Sequence, residues 1–185
     1  MRNLLVLFLY LTTLCANICA AGTWVPPSTA TPPGLMQQLD RAHWIASGAK
    51  SPARVVYVFT DPNCPYCNDL WKAMKAMHTP GVQVRYLLVA VIDADSRGKD
   101  AAILESSDPA AALDDNEGKF ARGGIAPKPT PQAATNATIS ANEALMKDLH
   151  IYGTPGLVYL DEHNGLKVFA GMPNPEQLRM ILGDR

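Results

Sequence analysis

The stretch that constrains this chain most is Arg54-Val55-Val56-Tyr57-Val58-Phe59-Thr60-Asp61-Pro62-Asn63-Cys64-Pro65-Tyr66-Cys67. Val55 to Phe59 is an apolar run of β-branched and aromatic residues, which reads as a buried strand. Asp61-Pro62 ends it with a turn signal. Two cysteines follow at C-x-x-C spacing. Pro65, between them, suits the first turn of a helix, where a missing N–H costs nothing. Leu70, Trp71, Met74 and Met77 then recur at helical spacing, out to about His78. Cys64 is thereby expected at a helix N-terminus, at the end of a strand.

That placement has chemical consequences. Unpaired N–H groups and the helix dipole favour negative charge there. A thiol so placed loses its proton more readily, and the thiolate is the nucleophile. Cys67 lies one turn on and can close a disulfide with Cys64. The outer cysteine would attack and the inner one would resolve the mixed disulfide.

The N-terminus bears on where this chemistry takes place. Arg2, the apolar run Leu4 to Leu14, and Cys19-Ala20-Ala21 have the three regions of a secretory signal peptide, expected over residues 1–21. The apolar run is shorter than the roughly 20 residues of a membrane span, so no anchor is expected after cleavage. Four cysteines are present, Cys15, Cys19, Cys64 and Cys67; cleavage discards the first two. The remaining pair closes a loop too tight to constrain an unfolded chain much. A redox role explains it better than a structural staple in an oxidising compartment. Zinc would ask for further N/S ligands, and no second C-x-x-C or spaced histidine pair supplies them. A formal net charge of −1 gives no nucleic-acid footprint.

Residues 22–34 are Pro-rich and read as a flexible extended arm. Leu35–Ser47 reads as a short amphipathic helix stopped by Gly48. After Thr79-Pro80-Gly81, the run Val82–Val91 reads as a second strand, parallel to the first. An insertion with helical segments at about 98–105 and 109–120 follows, then a loop over Ala121–Asn136. Ser140-Ala141-Asn142-Glu143 resembles a capping box opening a helix to about His150. Leu157–Leu160 and Leu166–Ala170 read as strands joined by His163-Asn164-Gly165. Asn174 caps a last helix, with Leu178, Ile181 and Leu182 inward. The class is α/β, a central mixed sheet flanked by helices.

This order, with C-P-Y-C after the first core strand and Thr154-Pro155 before a later one, resembles the thioredoxin fold. It is most similar to the catalytic domain of the periplasmic DsbC/DsbG thiol–disulfide proteins, DsbG most of all. The residues that carry the likeness are Phe59 to Cys67, Ile103-Leu104-Glu105-Ser106-Ser107-Asp108-Pro109-Ala110-Ala111, Asn142 to Leu149, Thr154-Pro155 and Gly171-Met172-Pro173. They span about 35–183, so one domain over 35–185 is expected, with its helical insertion at about 95–150. The resemblance implies that Pro155 is cis and lies beside Cys64 and Cys67. It implies that Thr154 offers backbone polar groups to a client, with Pro65 and Tyr66 tuning the thiols. It also implies cysteine-containing exported proteins as clients, a membrane reductase of the DsbD type as partner, and no dissociable cofactor. The family's N-terminal dimerisation domain has no counterpart in the short stretch before the first core strand, so a monomer is expected.

Other residues carry blander expectations. His43, His78, His150 and His163 are scattered surface or helix-end residues. Trp71, Met74 and Met77 are core. Asp114, Asp115 and Glu117 form a solvated face. The function expected is a periplasmic thiol–disulfide oxidoreductase, reductase or isomerase in character, extending to sulfenylated cysteines. A DsbA-like disulfide donor and a chaperone-like module of a secretion or conjugation system are the alternatives.

Overall fold

The computed structural model describes residues 34–77 and 79–183. The expected signal peptide, nearly all of the arm, and His78 lie outside the described residues. Five strands form one sheet: β1 (Ile45–Gly48), β2 (Arg54–Thr60), β3 (Val82–Leu88), β4 (Gly156–Leu160) and β5 (Leu166–Ala170), in the order β1-β3-β2-β4-β5. The β2–β3 pair is parallel, with Val56 opposite Val84 and Val58 opposite Tyr86. The other pairs are antiparallel. Among the described residues, six α-helices accompany the sheet: α1 (Leu35–Arg41), α2 (Pro65–Ala76), α3 (Ser96–Leu104), α4 (Pro109–Gly118), α5 (Ala133–Asp148) and α6 (Pro175–Leu182).

β2 is apolar throughout because both its faces are covered. Val56 and Val58 point one way, into a cluster with Leu70 and Met74 of α2, Ile103, Leu113 and Ile181. Tyr57 and Phe59 point the other way, into a cluster with Leu39 of α1, Leu145 and Met146 of α5, and Ile151. The alternation follows from the period of two along a strand. Burying each such side chain contributes roughly 1.5–3 kcal/mol. The sheet is thus sandwiched, and the C-terminal end of β2 is held rigidly from both sides.

Three expectations are corrected. The helix expected over Leu35–Ser47 stops at Arg41, and Ala42 turns extended at φ −62°, ψ 156°. Ile45–Gly48 becomes the edge strand β1, with Ile45 opposite Tyr86. Tertiary contacts override the helical pattern here: the Trp44 ring takes the Arg85 guanidinium 4.2 Å from its centroid, and Ile45 fills the core beside β3. The second strand ends at Leu88, short of Val91. Val91 and Ile92 leave the sheet because their N–H groups bond the Asp61 carboxylate, at 2.7 and 2.9 Å. Finally, α5 begins at Ala133, so the loop is shorter than expected and Ser140 lies inside the helix. Glu143 does not cap it; its carboxylate accepts from Arg97 and from the N–H of Ala90 instead.

Other expectations hold. Asn174 opens α6 with a reciprocal pair of bonds to Gln177, each 2.9 Å. Trp71, Met74 and Met77 all pack on the first core cluster. His43, His150 and His163 are exposed.

Candidate active site

Cys64 is the N-cap of α2, with extended backbone at φ −82°, ψ 116°, and Pro65 follows as the first helical residue. β2 delivers the chain to this point, and Asp61 fixes the turn. The Asp61 carboxylate is fully buried and accepts from the N–H of Asn63, the Ser96 hydroxyl, and the N–H groups of Val91 and Ile92. Asn63 in turn donates to Asp95 and Ser96, and Lys99 donates to the Asn63 side-chain oxygen at 2.6 Å. The start of α3 is therefore pinned under the turn that carries Cys64. Beside Asp61, Asp100 is buried with neither oxygen partnered among the described residues. Burial, with the Asp61 charge adding to it, pushes its carboxyl well up.

Both cysteines are free thiols and both are buried. The Cys64 sulfur lies 3.4 Å from the N–H of Cys67, which donates to it. On its other side it meets the carbonyl of Thr154 at 3.3 Å. The Thr154–Pro155 bond is cis, and the carbonyl of Pro155 is tied to the N–H of Gly171 at 2.8 Å. The turn before β4, which carries Thr154 and Pro155, thus faces the start of α2.

The two thiols are driven apart in acidity. Cys64 is lowered from 9.0 to about 6. The Cys67 thiol contributes most by donating to it; burial opposes; the Thr154 hydroxyl and the N–H groups of Cys67 and Tyr66 add to the lowering. That Thr154 hydroxyl is buried with no hydrogen-bond partner among the described residues, Cys64 included. The Cys67 thiol is pushed up, first by burial and then by its bond to Cys64 and the charge there. One sulfur is poised as an anion and the other holds its proton, the division a two-step exchange requires.

Tyr66 stands in the open at 61% exposure. Tyr152, Val91, Ile92 and Met172 are also exposed, and sequence reasoning missed all four. Each is tethered to the site: Tyr152 by the turn to Thr154, Met172 through Gly171, and Val91 and Ile92 through Asp61. Among the described residues, no cluster of three or more His, Cys, Asp or Glu is disposed to hold a metal, and no helix is long and apolar enough to cross a membrane.

Glu117 was expected on a solvated face and is instead 3% exposed. Asn68, the residue after Cys67, donates to its carboxylate at 2.8 Å. Asn116 donates to the other carboxylate oxygen at 3.1 Å and to the Pro62 carbonyl at 3.2 Å. Asp114 and Asp115 do face outward, paired to Lys75 and Lys119.

Comparison with known proteins bears on this arrangement. The chain is 37% identical over 152 residues to the thiol:disulfide interchange protein DsbG of Pseudomonas aeruginosa, covering 82% of this chain and 59% of that protein. It is 36% identical over 155 residues to DsbG of Escherichia coli, covering 82% and 61%. The chain therefore spans about 60% of the length of these curated relatives. A solved periplasmic thioredoxin-like protein from Salmonella enterica serovar Typhimurium shares the fold, with a TM-score of 0.63 at 21% identity over 81% of this chain and 94% of that one. A family model described as a thioredoxin-like domain matches residues 40–185. That span takes in the whole sheet, the C-x-x-C turn and the cis-proline turn facing it, and the chain belongs to the thioredoxin-like family.

Proposed function

We propose that this chain is a periplasmic thiol–disulfide oxidoreductase acting through Cys64 and Cys67, in the reducing or isomerising direction. The observation that carries the reading is the Cys64 sulfur held between the N–H of Cys67 and the carbonyl of Thr154. The similarity to DsbG supports the compartment and the reaction class.

The Cys64 thiolate attacks one sulfur of a client disulfide. A Cys64–client disulfide forms, the client S–S bond breaks, and the second client sulfur leaves as a thiolate that takes up a proton. Cys67 then gives up its proton and attacks the Cys64 sulfur. The first client thiol is released and the Cys64–Cys67 disulfide forms, so two electrons have passed to the client. A sulfenylated cysteine would react at the same sulfur, losing its oxygen as water. A membrane reductase of the DsbD type would restore the dithiol. Thr154 and Pro155 would hold the client chain beside Cys64, while Pro65 and Tyr66 shape the thiol's surroundings and meet the client.

The test is insulin reduction and scrambled-ribonuclease refolding by the wild-type chain and Cys64→Ala. Loss of both in the variant is expected; client rescue unchanged by the substitution would favour a binding module. A second reading, disulfide donation, draws on the depressed Cys64 thiol, because a stabilised thiolate makes a stronger oxidant. Equilibration of the couple against glutathione decides the direction. Sedimentation tests the expected monomer.

A further inference from the structure

Glu117 is a buried carboxyl that the exchange chemistry above does not use. It reaches from α4 to both flanks of the C-x-x-C turn. One oxygen receives Asn68, next to Cys67, at 2.8 Å. The other receives Asn116, whose amide also holds the Pro62 carbonyl ahead of Cys64. Asn116 is itself fixed by the N–H of Ile125 at 3.0 Å. The acid is therefore locked in place by neutral amides.

The charged groups around it do not neutralise it. On α2, Lys72 pairs with Asp69 and Lys75 with Asp114; on α4, Lys119 pairs with Asp115. Lys72 exerts a weak favourable pull, and Tyr86 of β3 faces the same acid. The Cys64 charge acts on it in the opposite sense. Burying a carboxylate without a cation costs free energy, so its position beside the thiols needs a reason.

We propose that Glu117 is a positioning residue whose charge, held beside the couple by Asn68 and Asn116, opposes the Cys64 thiolate and makes the Cys64–Cys67 pair more reducing. The proposal rests on the redox reading above. Like charges in one buried site each make the other harder to ionise. Burial and the Cys64 charge both raise the Glu117 carboxyl. The two groups then titrate as a coupled pair, and the Cys64 curve departs from that of a single site. Because coupling is reciprocal, forming the disulfide, which removes the thiolate, lets Glu117 ionise more easily.

The experiment follows thiolate absorbance against pH in reduced wild type and Glu117→Gln, together with the Glu117 carboxyl carbon resonance in reduced and oxidised wild type. The expected result has three parts. Glu117→Gln titrates as one site, with its midpoint lower by about half a pH unit or more. Its equilibrium with glutathione, read above the Glu117 titration, shifts about threefold or more toward the reduced protein. The Glu117 resonance titrates at higher pH in the reduced than in the oxidised protein. Superimposable Cys64 curves, or a Glu117 titration indifferent to the redox state, would overturn the inference. If Glu117→Gln does not fold, the wild-type resonance decides alone. None of these readouts uses a client, so a wild type that titrates as described yet reduces no client would sink the redox reading and leave this coupling standing.

Discussion

The carbonyl of Thr154 lies 3.3 Å from the sulfur of Cys64, across 90 residues of chain. Two elements of the fold meet at that contact: the helix start that ionises the thiol and the cis-proline turn that closes over it. If Cys64 attacks and Cys67 resolves, removing each should arrest a different step. Cys64→Ser is expected to bring insulin reduction down to background. Cys67→Ala is expected to keep the attack and accumulate a Cys64–client adduct, seen as a mass increase that vanishes with dithiothreitol. No adduct with Cys67→Ala, or full turnover by Cys64→Ser, would refute the assignment.

The depressed Cys64 thiol sets a pH window. Its folded value is about 6 against an ordinary 9.0. Alkylation of the reduced protein should therefore report Cys64 as the reactive thiol, with an apparent midpoint near 6, while Cys67, pushed up, stays unreactive through neutral pH. Stability carries the same signature. A group whose folded value lies below its unfolded one stabilises the fold above the unfolded value, and that contribution is lost as pH falls through the folded one. The stability advantage of reduced wild type over Cys64→Ala should shrink as pH drops from about 9 to about 6. Parallel urea midpoints across that range would contradict it.

Thr154→Val tests the hydroxyl without disturbing the turn. It keeps the carbonyl on Cys64 and the branched shape, and removes a buried hydroxyl that has no hydrogen-bond partner among the described residues and whose pull lowers the Cys64 thiol. One hydrogen bond to a charged group contributes ~1.5 kcal/mol, or about one pH unit. The Cys64 midpoint should rise by up to that amount, read by thiolate absorbance. An unchanged midpoint would remove Thr154's side chain from the account.

Much of this site could be read along the chain because its parts are local. The alternation Val56, Tyr57, Val58, Phe59, the Asp61-Pro62 stop and Pro65 at the first helical position each depend on neighbours in sequence. What was hidden depends on distant partners. Four residues of β1 carry too little period to outweigh a helical reading, and their identity as a strand comes from β3. Glu117 sits in a run of acids that resembles any solvated helix face. Only the packing of α4 on α2 turns it toward Asn68, and no local pattern announces that. Val91, Ile92 and Tyr152 resemble ordinary core residues until the chain is seen to turn away from the sheet.

The buried acids Asp61 and Asp100 should respond oppositely to loss of charge. Asp61 accepts four bonds, so Asp61→Asn replaces one acceptor oxygen with a donor and strands N–H groups. Each buried polar group left unpaired costs about 1–3 kcal/mol. Burial pushes the Asp100 carboxyl well above its ordinary range. A carboxyl raised on folding destabilises the fold as pH climbs above its unfolded value. Asp100→Asn should therefore stabilise near neutral pH, with the gain fading toward pH 4. Denaturant midpoints at the two pH values check both; destabilisation of equal size by both changes would contradict the contrast.

Gly156 tests how tightly the cis-proline turn is anchored. A Cβ there would meet the Ile151 side chain at 2.5 Å from Cγ2 and 3.1 Å from Cδ1. Ile151 is buried in the core cluster with Phe59 and Val158, so it has no open space to yield into. Gly156→Ala should cost about 1–3 kcal/mol by overpacking. It should also displace Thr154 from Cys64, slowing alkylation-sensitive exchange more than the stability loss alone explains. Ile151→Ala removes the obstructing atoms. The double variant should be less destabilised than the sum of the two singles, since the residues share one volume. Strict additivity in urea unfolding would show that the strand accommodates the methyl elsewhere.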